Sequence, residues 1–170
     1  MGATAELVSS QGVASLAAQA IAARAGVSSS TLHELFDGAE PLLAATFDAA
    51  AESMLARIEG ACDPAADPRK QVQRTLAALA AWIVVEREQG AVLGLATAVA
   101  VPAVAAARSL QTARLARLAA KSGGGWARTA ERSTTEALAA AVVISLLEEP
   151  GKAPERANAL AALLTSAPAR

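Results

Sequence analysis

The chain has 170 residues and a net charge of −1; apolar types make up 54% of it and aromatics only 2%. That length allows one domain or a small domain fused to a medium one, and the alanine-dominated composition disfavours a β-rich core, which draws on β-branched and aromatic side chains. One cysteine (Cys62), one histidine (His33) and no tyrosine exclude an intrachain disulfide and leave no set for a metal cluster or a cysteine–histidine pair.

Residues 3–10 read as a first helix, with Leu7 and Val8 inward and Gly12 closing it. Good helix formers fill residues 17–25, where Ile21 is the one large apolar anchor, and Gly26 stops that helix. Glycine suits the position just past a helix end because it takes positive φ without a Cβ clash, and Ser28 is a good N-cap for the next helix. Two short helices joined by a turn of about three residues have the spacing of a helix-turn-helix unit. Leu32 and Phe36, four apart, give the second helix over 28–35 its inward face. Its other face carries Ser29, Ser30, Thr31 and His33.

At these residues the chain resembles the TetR family of bacterial transcriptional regulators. The matches in register are Gly12, Ile21, Ala22, Ala25, Gly26, Val27, Ser28, Thr31, Leu32, Phe36 and Leu42, within residues 3–48. The resemblance implies an all-α protein: a three-helix helix-turn-helix DNA-binding domain over 1–46, then a helical ligand-binding and dimerisation bundle over 47–170. It implies a dimeric repressor that reads operator DNA with the helix over 28–35, and no enzymatic activity. Where the family often has basic or aromatic contacts, this chain has Gln19, Ser29, His33 and Ala39. The usual hydroxyl cap of the second helix is Ala17, with Ser15 as a substitute. Family members usually begin with another turn or two and a basic arm, which leads us to expect a shortened or armless start at Met1.

From Pro41 a further helix begins, proline being tolerated where a first-turn residue needs no N–H partner. Leu43, Phe47, Met54, Leu55 and Ile58 share one face of it; Asp48, Glu52 and Glu59 line another. Residues 60–68 form a loop by their Gly, Pro and Asp content. A long helix over 69–88 is apolar on nearly every side between Leu76 and Val85, as in a helix buried within its domain, and Gln89 and Gly90 are expected to end it. A short apolar helix over 91–100 and another over 103–121 follow, then a break at 122–125. Helices over 126–147 and 154–165 close the chain, with a turn at 148–152; Leu160, Leu163 and Leu164 make a stripe on the last. Resemblance supplies the role of this pair, a homodimer interface through residues 126–165. The weakly hydrophobic run 89–107 is interrupted by glycine and proline, so we expect no membrane span. With no signal peptide at the N-terminus, we expect a cytoplasmic protein.

The DNA-binding candidates are Gln19, Ser28, Ser29, Ser30, Thr31 and His33: hydroxyls, imidazole and the backbone amides at Ser28 can donate to phosphate oxygens or base edges. The alternative is a solvated polar face. A protonated His33 supplies one cationic contact as pH falls; a neutral one packs in place of the family's tyrosine. Charge argues for weakened affinity, because residues 1–60 carry two arginines against seven carboxylates, whereas residues 104–132 carry six cations against Glu131. The basic row of Arg114, Arg117 and Lys121 reads as a solvated face or as a site for an acidic partner or DNA. For a small apolar effector the candidates are Phe47, Met54, Trp82, Leu93, Thr112, Leu115 and Val142, any of which serves equally as core. No cofactor is implied. The competing reading is a helical small-molecule-binding dimer of the same fold with weakened or lost DNA binding.

Overall fold

The computed structural model describes residues 2–13, 16–63, 65–95, 101–122 and 132–166, and among them the regular structure is helical throughout. In chain order the helices are α1 (Gly2–Gln11), α2 (Ala18–Ala25), α3 (Ser29–Leu35), α4 (Ala39–Ala61), α5 (Pro68–Val85), α6 (Arg87–Leu95), α7 (Pro102–Ser122), α8 (Arg132–Glu148) and α9 (Ala153–Ser166), with a 3₁₀ turn at Pro150–Lys152. Ser122, expected to begin the break at 122–125, ends α7 instead; the candidate cap Ser15, the rest of that break, residues 96–100 of the helix expected over 91–100, the start of the helix expected from 126 and the Lys121 side chain lie outside the described residues.

The chain divides into two compact units: residues 1–52 with 87–109, and residues 53–86 with 110–170. In the first, α1 packs against α2 and α6, and α2 against α3. Leu7, Ile21, Ala22, Leu32 and Leu42 form one buried cluster, with Leu16, Ala18, Ala20 and Phe36 packed on its edge. Side chains from four successive helices thus share a single core, which is what fixes the angle between α2 and α3. Helix α4 begins at Ala39, two residues ahead of Pro41, which sits in the first turn where its missing N–H goes unused.

In the second unit α5 packs against α9 and α8, and α8 against α9. Asp67 caps α5, accepting from the amides of Arg69 at 2.9 Å and Lys70 at 3.4 Å, and Pro68 opens the helix. The loop before it is closed by the buried Gln71, whose Oε1 accepts the Asp63 amide at 2.9 Å. At the far end the expected stop at Gln89 and Gly90 is wrong. The break falls at Glu86, whose backbone (φ −98°, ψ 54°) leaves the helix while its N–H donates to the Trp82 carbonyl at 2.7 Å. Gln89 and Gly90 lie inside α6, and Gly90 is buried.

The last helix turns a different stripe inward from the one its leucines mark. Ala153, Ala157 and Ala161, four apart, are buried, while Leu163 is 68% exposed and Leu160 and Leu164 are half-buried. Arg156 ties α9 back to the end of α8, donating to the Ser145 carbonyl and pairing with Glu148 and Glu149.

Candidate nucleic-acid interface

Helix α2 has no side-chain cap at Ala17 and is closed at Gly26, which takes φ +69° as the sequence anticipates. The Gly26 and Val27 amides return to the Ala23 and Ala22 carbonyls at 3.3 and 3.0 Å, so the last turn of α2 is tied off before the chain redirects. Ser28 then caps α3: its Oγ accepts the Thr31 amide at 3.1 Å. The same oxygen lies 2.7 Å from Ser30 Oγ and 2.8 Å from Thr31 Oγ1, so three hydroxyls share protons at the start of the helix.

Only Leu32 of α3 is fully buried, and it holds the helix to the core cluster. Ser30, Thr31 and His33 are exposed together with Glu34 and Leu35, and Ser29 is half-buried. Gln19, on α2, is exposed in the same unit, as is Ser28. All six candidate contact residues therefore belong to one compact unit, and five of them fall within residues 28–33. A polar face backed by a buried leucine is the arrangement by which a short helix offers hydroxyl and imidazole groups to a nucleic-acid groove.

A family model described as bacterial regulatory proteins of the tetR family matches residues 1–46. The match covers the helix-turn-helix segment, α1 to α3, and the start of α4. Solved structures extend the likeness to the whole chain as a fold. A TetR-like transcriptional regulator from Rhodococcus sp. RHA1 is 22% identical with a TM-score of 0.71, covering 96% of this chain and 90% of that one. The fatty acid degradation regulator FadR from Bacillus halodurans is 14% identical with a TM-score of 0.76, covering 97% and 92%. The multidrug binding protein EbrR, complexed with imidazole, is 22% identical with a TM-score of 0.71, covering 99% and 93%. No curated protein matches the sequence significantly. The described helices thus share the all-α fold of these neighbours, and residues 1–46 match the N-terminal domain of the tetR family.

Two features of this TetR-type domain are absent from its sequence pattern. Arg24, in the last turn of α2, lies side-on against Glu6 of α1: Nε donates to Oε2 at 2.8 Å and Nη2 pairs with Oε1. Leu35 and Val27 stand 71% and 42% exposed around α3, apolar surface that the match to a buried helix-turn-helix core does not require. The pair joins residues 18 apart on different helices, and its signal in the sequence is only that one arginine faces many carboxylates.

The seven effector candidates are divided between the units. Phe47 and Leu93 are buried in the first; Met54, Trp82, Thr112, Leu115 and Val142 belong to the second, where Met54 and Trp82 are buried and the other three half-buried. Trp82 Nε1 donates to Ser53 Oγ at 3.0 Å, linking α5 to α4 within the second unit. Ser53 was not a candidate, because a serine 29 residues away carries no local sign of its partner. Among the described residues no helix is long and apolar enough to cross a membrane.

Proposed function

We propose that the protein is a ligand-responsive repressor that binds operator DNA as a homodimer, with residues 1–46 reading DNA and residues 47–170 binding effector and partner. The observation that carries the DNA half is the exposed row of Ser30, Thr31 and His33 on a helix whose opposite side is anchored by Leu32. Ser28, Ser29 and Gln19 complete the contact set, with the hydroxyls supplying donors to phosphates or base edges.

Dimerisation through α8 and α9 is supported by one large apolar side chain left at the surface on each helix. Ile144 on α8 is 37% exposed and Leu163 on α9 68% exposed, and two such helices with their copies would form a four-helix interface. We infer the effector site among Met54, Trp82, Thr112, Leu115 and Val142, the candidates that fall in the second unit, whose mainly apolar side chains suit an apolar ligand. An effector releases DNA only by preferring one conformation over the other. The Pro41 helix, α4, runs from the DNA-reading side of the chain into the second unit and is the element through which that preference would act. Two neighbours of this fold are named for fatty acid degradation and multidrug binding, which agrees with an apolar effector here.

Fluorescence anisotropy with a labelled duplex from the DNA flanking its own gene, against a scrambled duplex, tests the reading. Saturable, sequence-dependent binding that survives near-physiological salt is the expected result, and Ser30→Ala with His33→Ala should lower it at least tenfold, about 1.4 kcal/mol. Sequence-indifferent binding at every salt would leave a ligand-binding dimer and remove the repressor.

A further inference from the structure

The helix-turn-helix segment has almost no positive charge to offer a polyanion. Between residues 1 and 56 the only lysine or arginine is Arg24, against Glu6, Glu34, Asp37, Glu40, Asp48 and Glu52. Arg24 sits two residues ahead of Gly26 and four ahead of Ser28, the residue that opens α3, so it borders the turn that leads into the DNA-reading helix. Its guanidinium is already engaged. Two parallel N–H to carboxylate contacts with Glu6 use the same planar edge that a phosphate would use.

We propose that Glu6 is a positioning residue that holds Arg24 away from the DNA backbone and thereby lowers the operator affinity of the protein; this rests on the DNA-binding reading above. Both side chains remain open to water, 54% for Arg24 and 38% for Glu6, so the pair is a surface one that phosphate can compete with. Glu6 wins that competition in free protein because it is tethered on α1, which packs against α2 and keeps the carboxylate beside the guanidinium. DNA therefore meets a neutral pair in place of a cation. A phosphate neutralised by a released arginine would free condensed counterions and steepen the salt dependence by about 0.9 in the slope of log K against log salt. The hydroxyls of Ser28, Ser30 and Thr31 carry no charge and contribute nothing to that slope.

A double-mutant cycle tests this, with anisotropy measured from about 50 to 200 mM salt on the flanking-gene duplex and on a random duplex. Circular dichroism melts would confirm that each variant folds. Glu6→Gln should tighten binding to both duplexes roughly three- to tenfold at the low-salt end, with the slope steeper by about 0.9. Arg24→Gln alone should change little, and Glu6→Gln combined with Arg24→Gln should lose the whole gain. Glu6→Ala should repeat the result of Glu6→Gln and guards against one variant failing to fold. If the wild type binds and the gain is missing, or persists without Arg24, the role of Glu6 is overturned while the repressor reading stands. If neither the wild type nor Glu6→Gln binds either duplex, both fall together.

Discussion

Residues 18–36 and the helices after residue 110 are both rich in alanine, yet alanine does opposite things in them. In the helix-turn-helix, single large side chains mark the inward face: Ile21 on α2 and Leu32 on α3 are buried with Leu7 and Leu42, and small residues fill the space around them. In α9 the small residues themselves are the inward face, with Ala153, Ala157 and Ala161 buried while Leu163 points out. The first pattern follows from an isolated apolar anchor, which has only one favourable place to go. The second follows from close helix approach, which small side chains permit and leucines prevent. A leucine stripe on an alanine-rich helix is therefore no guide to which face its own chain covers.

The largest effect that would break this comparison is at Ile21. Ile21→Ala should cost about 2–5 kcal/mol by leaving a cavity in a cluster drawn from four helices, whereas Leu163→Ala should change the stability of the isolated subunit by less than about 0.5 kcal/mol. Urea titrations at low protein concentration measure both. Equal losses would mean that the two helices use their large residues alike. The reverse substitution sharpens the point: Ala157→Leu, which enlarges a 2% exposed position in the alanine stripe, should destabilise by about 1–3 kcal/mol through overpacking. A neutral result there would show that α5 and α9 have room to spare.

Much of the helix-turn-helix is legible because its signals are local. Gly26 ends α2 and Ser28 opens α3, each through a hydrogen bond within three residues or a preferred backbone angle. Leu32 identifies the inward side of α3 by spacing alone. What stayed hidden depends on which helix lies against which. The α5 break at Glu86 has no glycine or proline to announce it, and Gln89 and Gly90, which look like a stop, are absorbed into α6. Glu6 with Arg24 and Ser53 with Trp82 are partners only because their helices cross. For the proposed interface the polar row was readable from the sequence; that its neighbouring arginine is already engaged was not.

Ser53 and Trp82 give a prediction of intermediate size, and one that compares a polar anchor with the apolar ones. Ser53→Ala leaves the indole N–H of a 4% exposed tryptophan without its acceptor, which should cost about 1–3 kcal/mol. Trp82→Phe loses the donor as well as ring area, so the double variant should be less destabilised than the two singles combined. A coupling energy of about 0.5 kcal/mol or more in urea unfolding would mark a real link between α4 and α5. Strict additivity would mean that the two groups merely lie close.

The smallest effect concerns pH, and it contrasts the loop before α5 with the uncapped start of α2. The Asp63 carboxylate accepts the Ala65 amide at 3.0 Å and the Arg74 guanidinium at 2.9 Å, and these two partners, the amide first, hold its pKa below the usual aspartate range. Glu149 is lowered in the same sense, by Lys152 above all and then by Arg156. A carboxyl whose folded pKa is depressed binds fewer protons folded than unfolded, so its contribution is complete above the ordinary carboxylate range and is lost as pH falls through the depressed value. Thermal melts should therefore show the midpoint dropping as pH is lowered below that range. Asp63→Asn should lower the midpoint near neutrality by no more than about 2 °C, because both partners are exposed, and should flatten the acid-side decline. The Arg74→Gln variant separates the causes: it removes the guanidinium and keeps the Ala65 amide. Since the amide is the larger influence, most of the Asp63 share of the acid-side slope should survive in Arg74→Gln and be lost in Asp63→Asn, with the Glu149 share remaining in both. An equal reduction of slope in both variants would assign the Asp63 share to the ion pair and reduce the loop's backbone bond to a bystander.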